Sequence, residues 1–222
     1  MIEFRNLTKV FRLSGRSKVV AQNINQVVPS GVAVALLGSN GAGKSTLLQM
    51  IAGTIRPTSG VIRSTGSISW PVGFAGSFHG DLTGSQNARF LARIYGVDTD
   101  ELVAFVDDFA GLGTHFHLPF RTYSSGMRSR LAFGISMAID FDTYLVDEIT
   151  AVGDQAFRTK SSRIFRDRLH RSGAVLATHS MSQARELCDA VAVLDRGQLH
   201  YFDDIEDGIA WHQANMQAVA NA

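Results

Sequence analysis

Three observations predict an α/β fold built on a mostly parallel sheet. The runs at residues 32–37, 144–146, 174–177 and 190–194 are apolar throughout, as strands covered on both faces should be. Helical patterns separate them, the rhythm of parallel strands joined by crossovers. A glycine-rich turn follows the first run directly. It leads into a short helix carrying Leu47, Leu48, Met50 and Ile51 that stops near Gly53.

The remaining elements attach to this core. Residues 2–4 and 23–28 read as short strands around a turn at 14–17, giving an N-terminal antiparallel β sub-domain. Asp195-Arg196-Gly197 is a turn into a hairpin partner at 198–202. From about 83 to 141 the pattern changes to helical spacing. Phe90, Leu91 and Ile94 share one face, Leu102, Val103, Val106 and Phe109 a second, and Leu131, Ile135, Ala138 and Ile139 a third. Gly96 and Gly111 are the expected stops. The whole chain, 1–222, therefore reads as one domain with an inserted α-helical sub-domain, free of repeats and low-complexity linkers.

Composition narrows the class. Of 222 residues 45% are hydrophobic and 18% charged, enough to bury a core and too apolar for disorder. The balance of 21 basic and 20 acidic residues gives no electrostatic case for nucleic acid or an anionic membrane surface as main partner. The start has neither a basic region nor a long apolar stretch, so no signal peptide is expected. The lone Cys188 cannot form an internal disulfide, which suits a reducing cytoplasm.

The strongest motif is Gly38-Ser39-Asn40-Gly41-Ala42-Gly43-Lys44-Ser45, followed by Thr46, a full G-x-x-x-x-G-K-S/T between buried strand and helix. Small residues let backbone N–H groups wrap phosphates, with the positive helix end behind them. Lys44 supplies a cation for the outer phosphates and Ser45 a hydroxyl for Mg²⁺. Phosphoryl transfer also needs a carboxylate near the metal and a group to orient water. Asp147 and Glu148, ending the run 143–146, fit those jobs. His179 ends the strand 175–178, at the edge where α/β sheets bind ligands, and is a candidate phosphate sensor. Ser124, Ser125 and Gly126 open the third helix of the insertion; small residues at a helix start suit an anion, though an ordinary N-cap has the same composition.

Together these motifs resemble the nucleotide-binding subunit of an ATP-binding-cassette transporter, over about residues 1–212. GSNGAGKST matches Walker A, YSSGM the signature usually written LSGGQ, and TYLVDE Walker B. AVGD, ending at Asp154, matches the D-loop, and His179 the switch histidine. Phe11 sits where that family stacks an aromatic on adenine, although a phenylalanine here also suits a core. The resemblance implies a P-loop NTPase core, ATP and Mg²⁺ as ligands, and a homodimer that completes two ATP sites.

The wording SWPVGFAGSF, DLTGSQN, TYSSGMRSRLAFGISMA and VDEITAVGD is similar to ATPases of Gram-negative capsular polysaccharide exporters. Exporters of O-antigen and teichoic acid share part of it. The resemblance implies an ATPase on the cytoplasmic face of the inner membrane, bound to an integral-membrane permease. Through that permease it would reach export machinery in the periplasm, and it would move a lipid-linked polysaccharide. No carbohydrate-binding domain is expected after Trp211. The family's usual loop glutamine is absent from residues 71–79, and Ser125 and Met127 depart from the usual signature. The rivals are a soluble cassette protein acting on ribosomes or nucleic acid and a small-molecule P-loop kinase. The loop 70–79, with Trp70, Val72, Phe74 and Phe78, is the expected permease-facing surface.

Overall fold

The computed structural model describes residues 1–13, 15–73, 76, 78–148 and 155–220. The chain forms two compact units, one of residues 1–71, 141–149 and 169–222, the other of 72–140 and 150–168. Strands and helices are numbered in chain order.

The first unit holds two sheets. In the smaller, β1 (Ile2–Leu13) lies between β2 (Arg16–Val28) and β4 (Ser59–Ser64), antiparallel to both. These strands are far longer than residues 2–4 and 23–28 suggest. The reason is visible in the register. Asn6 (φ 48°) and Asn23 (φ 51°) adopt the left-handed region, and β1 shifts register between Phe4 and Leu7 and again between Leu7 and Lys9. Such bulges break the two-residue alternation on which a strand is read.

The larger sheet runs β5 (Ile68–Pro71), β6 (Thr143–Asp147), β7 (Gly173–Ala177), β3 (Ala33–Leu37), β8 (Ala190–Asp195), β9 (Gln198–Phe202). Its first five strands are parallel, and β9 returns antiparallel to β8 through Arg196 (φ 45°) and Gly197 (φ 82°). All five residues of β3 and of β7 are buried, which explains runs that are apolar without alternation. Leu36, Leu47, Leu48, Leu145, Val175 and Leu194 belong to the core between this sheet, α1 (Lys44–Ile51) and the small sheet. Helices α6 (Met181–Leu187) and α7 (Ile205–Ala220) complete the unit. Because β3, β6 and β7 are parallel neighbours, their carboxyl ends share one edge, and the site lies there.

The second unit contains α2 (Gly84–Tyr95), α3 (Thr99–Ala110), α4 (Ser125–Ala138) and most of α5 (Gln155–Leu169). Thr83 and Gln86 close a capping box on α2, and Asp98 caps α3. Gly96 and Gly111 end these helices in the left-handed conformation, as expected. Leu91, Leu102, Val106, Phe109, Leu131 and Ile135 are buried. Phe90 and Ile94 are not: they are 51% and 58% exposed, and Ala88 and Ala92 join Leu91 in the core instead. At helical spacing Phe90 falls on the neighbouring face, which composition alone could not distinguish.

Two aromatic residues of the loop at 70–79 pack against neighbours in their own units. The Trp70 ring packs edge-on against Phe141 at 5.5 Å within the first unit, and Phe78 against Phe120 at 5.1 Å within the second. Phe74 lies outside the described residues. Asn87, 1% exposed, ties the end of this loop to α2. Its side chain accepts from the His79 N–H at 2.9 Å and donates to the carbonyls of His79, Leu82 and Thr83. Asn87→Ala leaves these buried groups unpaired and should cost about 2–3 kcal/mol in urea unfolding, whereas a surface control such as Arg93→Ala stays within about 0.5.

Candidate functional site: a phosphate loop at the carboxyl edge of the parallel sheet

The loop between β3 and α1 is shaped by the absence of Cβ atoms. Gly41 and Gly43 adopt φ of 77° and 110°. A Cβ on Gly43 would lie 2.2 Å from Val20 Cγ1 of β2, and one on Gly38 would lie 2.6 Å from the Leu194 carbonyl oxygen of β8. The loop is thus pressed between two strands with room for backbone only. Gly43 is also the N-cap of α1 and offers no side-chain cap. The first-turn N–H groups of Lys44, Ser45 and Thr46 therefore lack both intrahelical and capping acceptors, which is the donor set a phosphate chain requires.

Lys44 is buried, and its ammonium donates to the carbonyls of Gly38 at 2.8 Å and Ser39 at 3.4 Å. Burial lowers its pKa, and the nearby Glu148 and Asp147 carboxylates oppose that shift. Asp147 ends β6 half-buried, and Glu148 follows in the left-handed region at φ 53°. For a residue with a Cβ this conformation costs on the order of 1–3 kcal/mol. It is held by the Glu148 N–H bond to the Ala177 carbonyl of β7, 3.0 Å long. The turn brings Glu148 Oε1 to 2.8 Å from Nε2 of His179, with both side chains about half exposed. His179 thus meets the carboxylate directly, a contact that no spacing in the sequence specifies.

These groups line one cleft of about 290 Å³ together with Phe11, Lys18, Val20, Asn40, Gly41, Gly43, Ser45 and Thr46. Phe11 is 40% exposed, not core. The Lys9 ammonium sits over its ring at 4.8 Å while donating to the Arg56 carbonyl, so one part of the ring is held and the rest is open to a flat ligand. Lys18 and Val20 share one face of β2, but no motif marks them: only the passage of this strand beside the loop brings them to the cleft. For a metal, the oxygen donors at hand are the exposed Ser45 hydroxyl and Asp147, and among the described residues no cluster of three His, Cys, Asp or Glu could hold an ion alone. That sparse hard-oxygen set fits Mg²⁺, which keeps water and substrate phosphates as most of its ligands.

The signature candidates lie in the second unit. Ser124 caps α4, its hydroxyl accepting from the Met127 N–H at 3.3 Å. Ser125 is exposed, and space around Gly126 is open. Arg128 fixes this helix start by donating to the carbonyls of Tyr123 and Arg121. Asp154 lies outside the described residues.

The profile of the family described as "ABC transporter" matches residues 21–151. The chain belongs to the ABC transporter family. It is accordingly an ATPase of the cassette type. It is 47% identical over 212 residues to the polysialic acid transport ATP-binding protein KpsT of Escherichia coli, covering 94% of this chain and 95% of that protein. Identity to the capsule polysaccharide export ATP-binding protein CtrD of Neisseria meningitidis serogroup B is 41% over 215 residues, covering 96% and 99%. Among solved structures, the dimeric post-hydrolysis state of the ATP-binding cassette MJ0796 bound to ADP and Pi superposes with a TM-score of 0.75. At 20% identity it covers 90% of this chain and 97% of that one, and it supports the cassette fold.

A second cleft, about 310 Å³, flanks the loop on the side of α7 and is lined by Gly38–Ala42, Trp211 and His212 among others. His212 is buried, and its pKa is lowered by that burial first and then by the Lys44 charge; Asp195 opposes this and His179 adds to it. Folding therefore favours the neutral ring. In the unfolded chain the same ring titrates at its ordinary 6.5, so its contribution is complete above that pH and is lost as pH falls toward the lower folded value. The wild type should lose more unfolding free energy than His212→Gln between about pH 7.5 and about pH 5.5, measured in urea. Equal losses would contradict this reading of His212.

Proposed function

We propose that this cassette is the ATP-hydrolysing subunit of an exporter that moves a lipid-linked capsular polysaccharide across the inner membrane. The observation that carries the cargo is 41–47% identity, over nearly the full length of both chains, to proteins named for polysialic acid transport and capsule polysaccharide export. O-antigen and teichoic-acid export are the neighbouring readings, supported by lower identities of 32–40%. Among the described residues no helix is long and apolar enough to cross a membrane. The likeness to transport ATP-binding subunits pairs the cassette with a membrane permease that supplies the path. The exposed Phe90 and Ile94 of α2 offer a further apolar surface for a partner, beside the loop at 70–79.

In the proposed reaction Phe11 stacks on adenine, and residues 38–46 hold the phosphates by backbone N–H groups. Lys44 exchanges its loop carbonyls for the outer phosphate oxygens. Ser45 and Asp147 would hold Mg²⁺, which neutralises phosphate charge when bound. Glu148 accepts a proton from water as the water oxygen bonds to the γ-phosphorus and the bond to the β-phosphate oxygen breaks, leaving ADP and inorganic phosphate. His179 orients Glu148 and senses the outer phosphate.

A homodimer completes the site. Glu148 and His179 are about half exposed in the single chain, and hydrolytic chemistry calls for a covered site. The start of α4, with Ser124, Ser125 and Gly126, is the surface of a second copy suited to that cover; Asp154 is assigned to the same interface.

The test is the chain reconstituted with its permease in inside-out membrane vesicles carrying the labelled lipid-linked glycan. Glu148→Gln should retain ATP binding, lose at least about 100-fold in hydrolysis and stop glycan uptake, while Lys44→Ala weakens ATP binding itself. Hydrolysis by Glu148→Gln within a few-fold of wild type would overturn the assigned base. ATP-driven uptake of a different substrate, with none of the glycan, would overturn the cargo.

A further inference from the structure

Among the described residues that line the cleft, Lys18 is the cation to which the motifs assign no role. It lies on β2 directly across from Phe11, the residue placed at the base end of the cleft. Its ammonium reaches over the middle of the phosphate loop: a Cβ built on Gly41 would stand 3.6 Å from Lys18 Nζ. Lys44 approaches from the other side, buried and bonded to the carbonyls of Gly38 and Ser39. The two cations therefore bracket the loop, Lys44 from within at the helix end and Lys18 from the solvent side between Phe11 and Gly41. A nucleotide with its base on Phe11 and its outer phosphates at the helix end would bring its ribose-proximal phosphates to the stretch of loop that Lys18 faces.

We propose that Lys18 is a second phosphate-binding residue of the nucleotide site, contacting the phosphates nearest the ribose. The inference rests on the nucleotide reading given above. It assigns Lys18 a share of the affinity and none of the bond-breaking. An ammonium at an exposed site contributes through charge, and salt screens that contribution. The same charge counts toward ADP as much as toward ATP, because the ribose-proximal phosphates are common to both. Adenosine, which has no phosphate, gains nothing from it.

The experiment measures binding of ATP, ADP and adenosine by calorimetry without Mg²⁺, for wild type, Lys18→Met and Lys18→Arg, with thermal unfolding as the folding control. Lys18→Met should bind ATP and ADP about fivefold more weakly than wild type at low salt, the size of an exposed charge pair. The difference should shrink toward unity at about 0.5 M salt, Lys18→Arg should bind like wild type, and adenosine affinity should not move. Unchanged ADP affinity in Lys18→Met would overturn the proposal. So would an equal loss for adenosine, which would mark a packing role beside Phe11. Failure of the nucleotide reading itself is separate, since the wild type would then bind neither ATP nor ADP.

Discussion

The site depends on two places where backbone meets neighbour with no space for a side chain. Gly38 lies against the Leu194 carbonyl of β8, and Gly43 against Val20 of β2. These approaches set the path of the loop before any ligand arrives. They turn the first-turn N–H groups of α1 into an uncapped donor set and draw Lys44 onto the loop carbonyls. Preorganisation of this kind makes phosphate binding favourable, because the donors need not be gathered at the moment of binding. The fixed loop in turn makes sense of the strand order. With β3 beside β7 and β7 beside β6, the ends of three parallel strands present the loop, His179 and the Asp147–Glu148 pair along one edge.

The same edge stores strain. Glu148 sits at φ 53°, a conformation maintained by its N–H bond to Ala177, and its carboxylate meets His179. A strained acid held by a neighbouring strand and an exposed imidazole is well suited to re-aim when phosphate enters. Lys44 has a comparable choice between loop carbonyls and phosphate oxygens. In the proposed reaction both groups exchange internal partners for substrate, which limits how far the site must reorganise.

Much of this was legible in the residues, and the parts that were not have physical causes. The runs 32–37, 144–146, 174–177 and 190–194 announce themselves because strands covered on both faces are apolar without alternation, with the acids Asp147 and Asp195 only at strand ends. Gly96 and Gly111 mark helix ends because those positions need a left-handed backbone. The phosphate loop is readable because its chemistry demands glycines at fixed spacing. The full extent of β1 and β2 was hidden by bulges at Asn6 and beyond, and the exposed face of α2 by the equal hydrophobicity of Phe90 and Leu91. The roles of Val20 and Lys18 were hidden for another reason: they depend on which strand passes the loop, a tertiary fact that no local pattern encodes. The pairing of His179 with Glu148 belongs to the same class.

In the proposed homodimer each chain is half of a working site: one copy supplies the phosphate loop and the acid, and a second supplies the start of α4. Mixed dimers test this most directly. Lys44→Ala and Ser124→Arg, each inactive alone, are combined on separately tagged copies and the mixed species isolated through both tags. One composite site then carries both lesions and the other carries neither, so ATP hydrolysis should return to a sizeable fraction of the wild-type rate. A mixed dimer no more active than either parent would contradict the shared site.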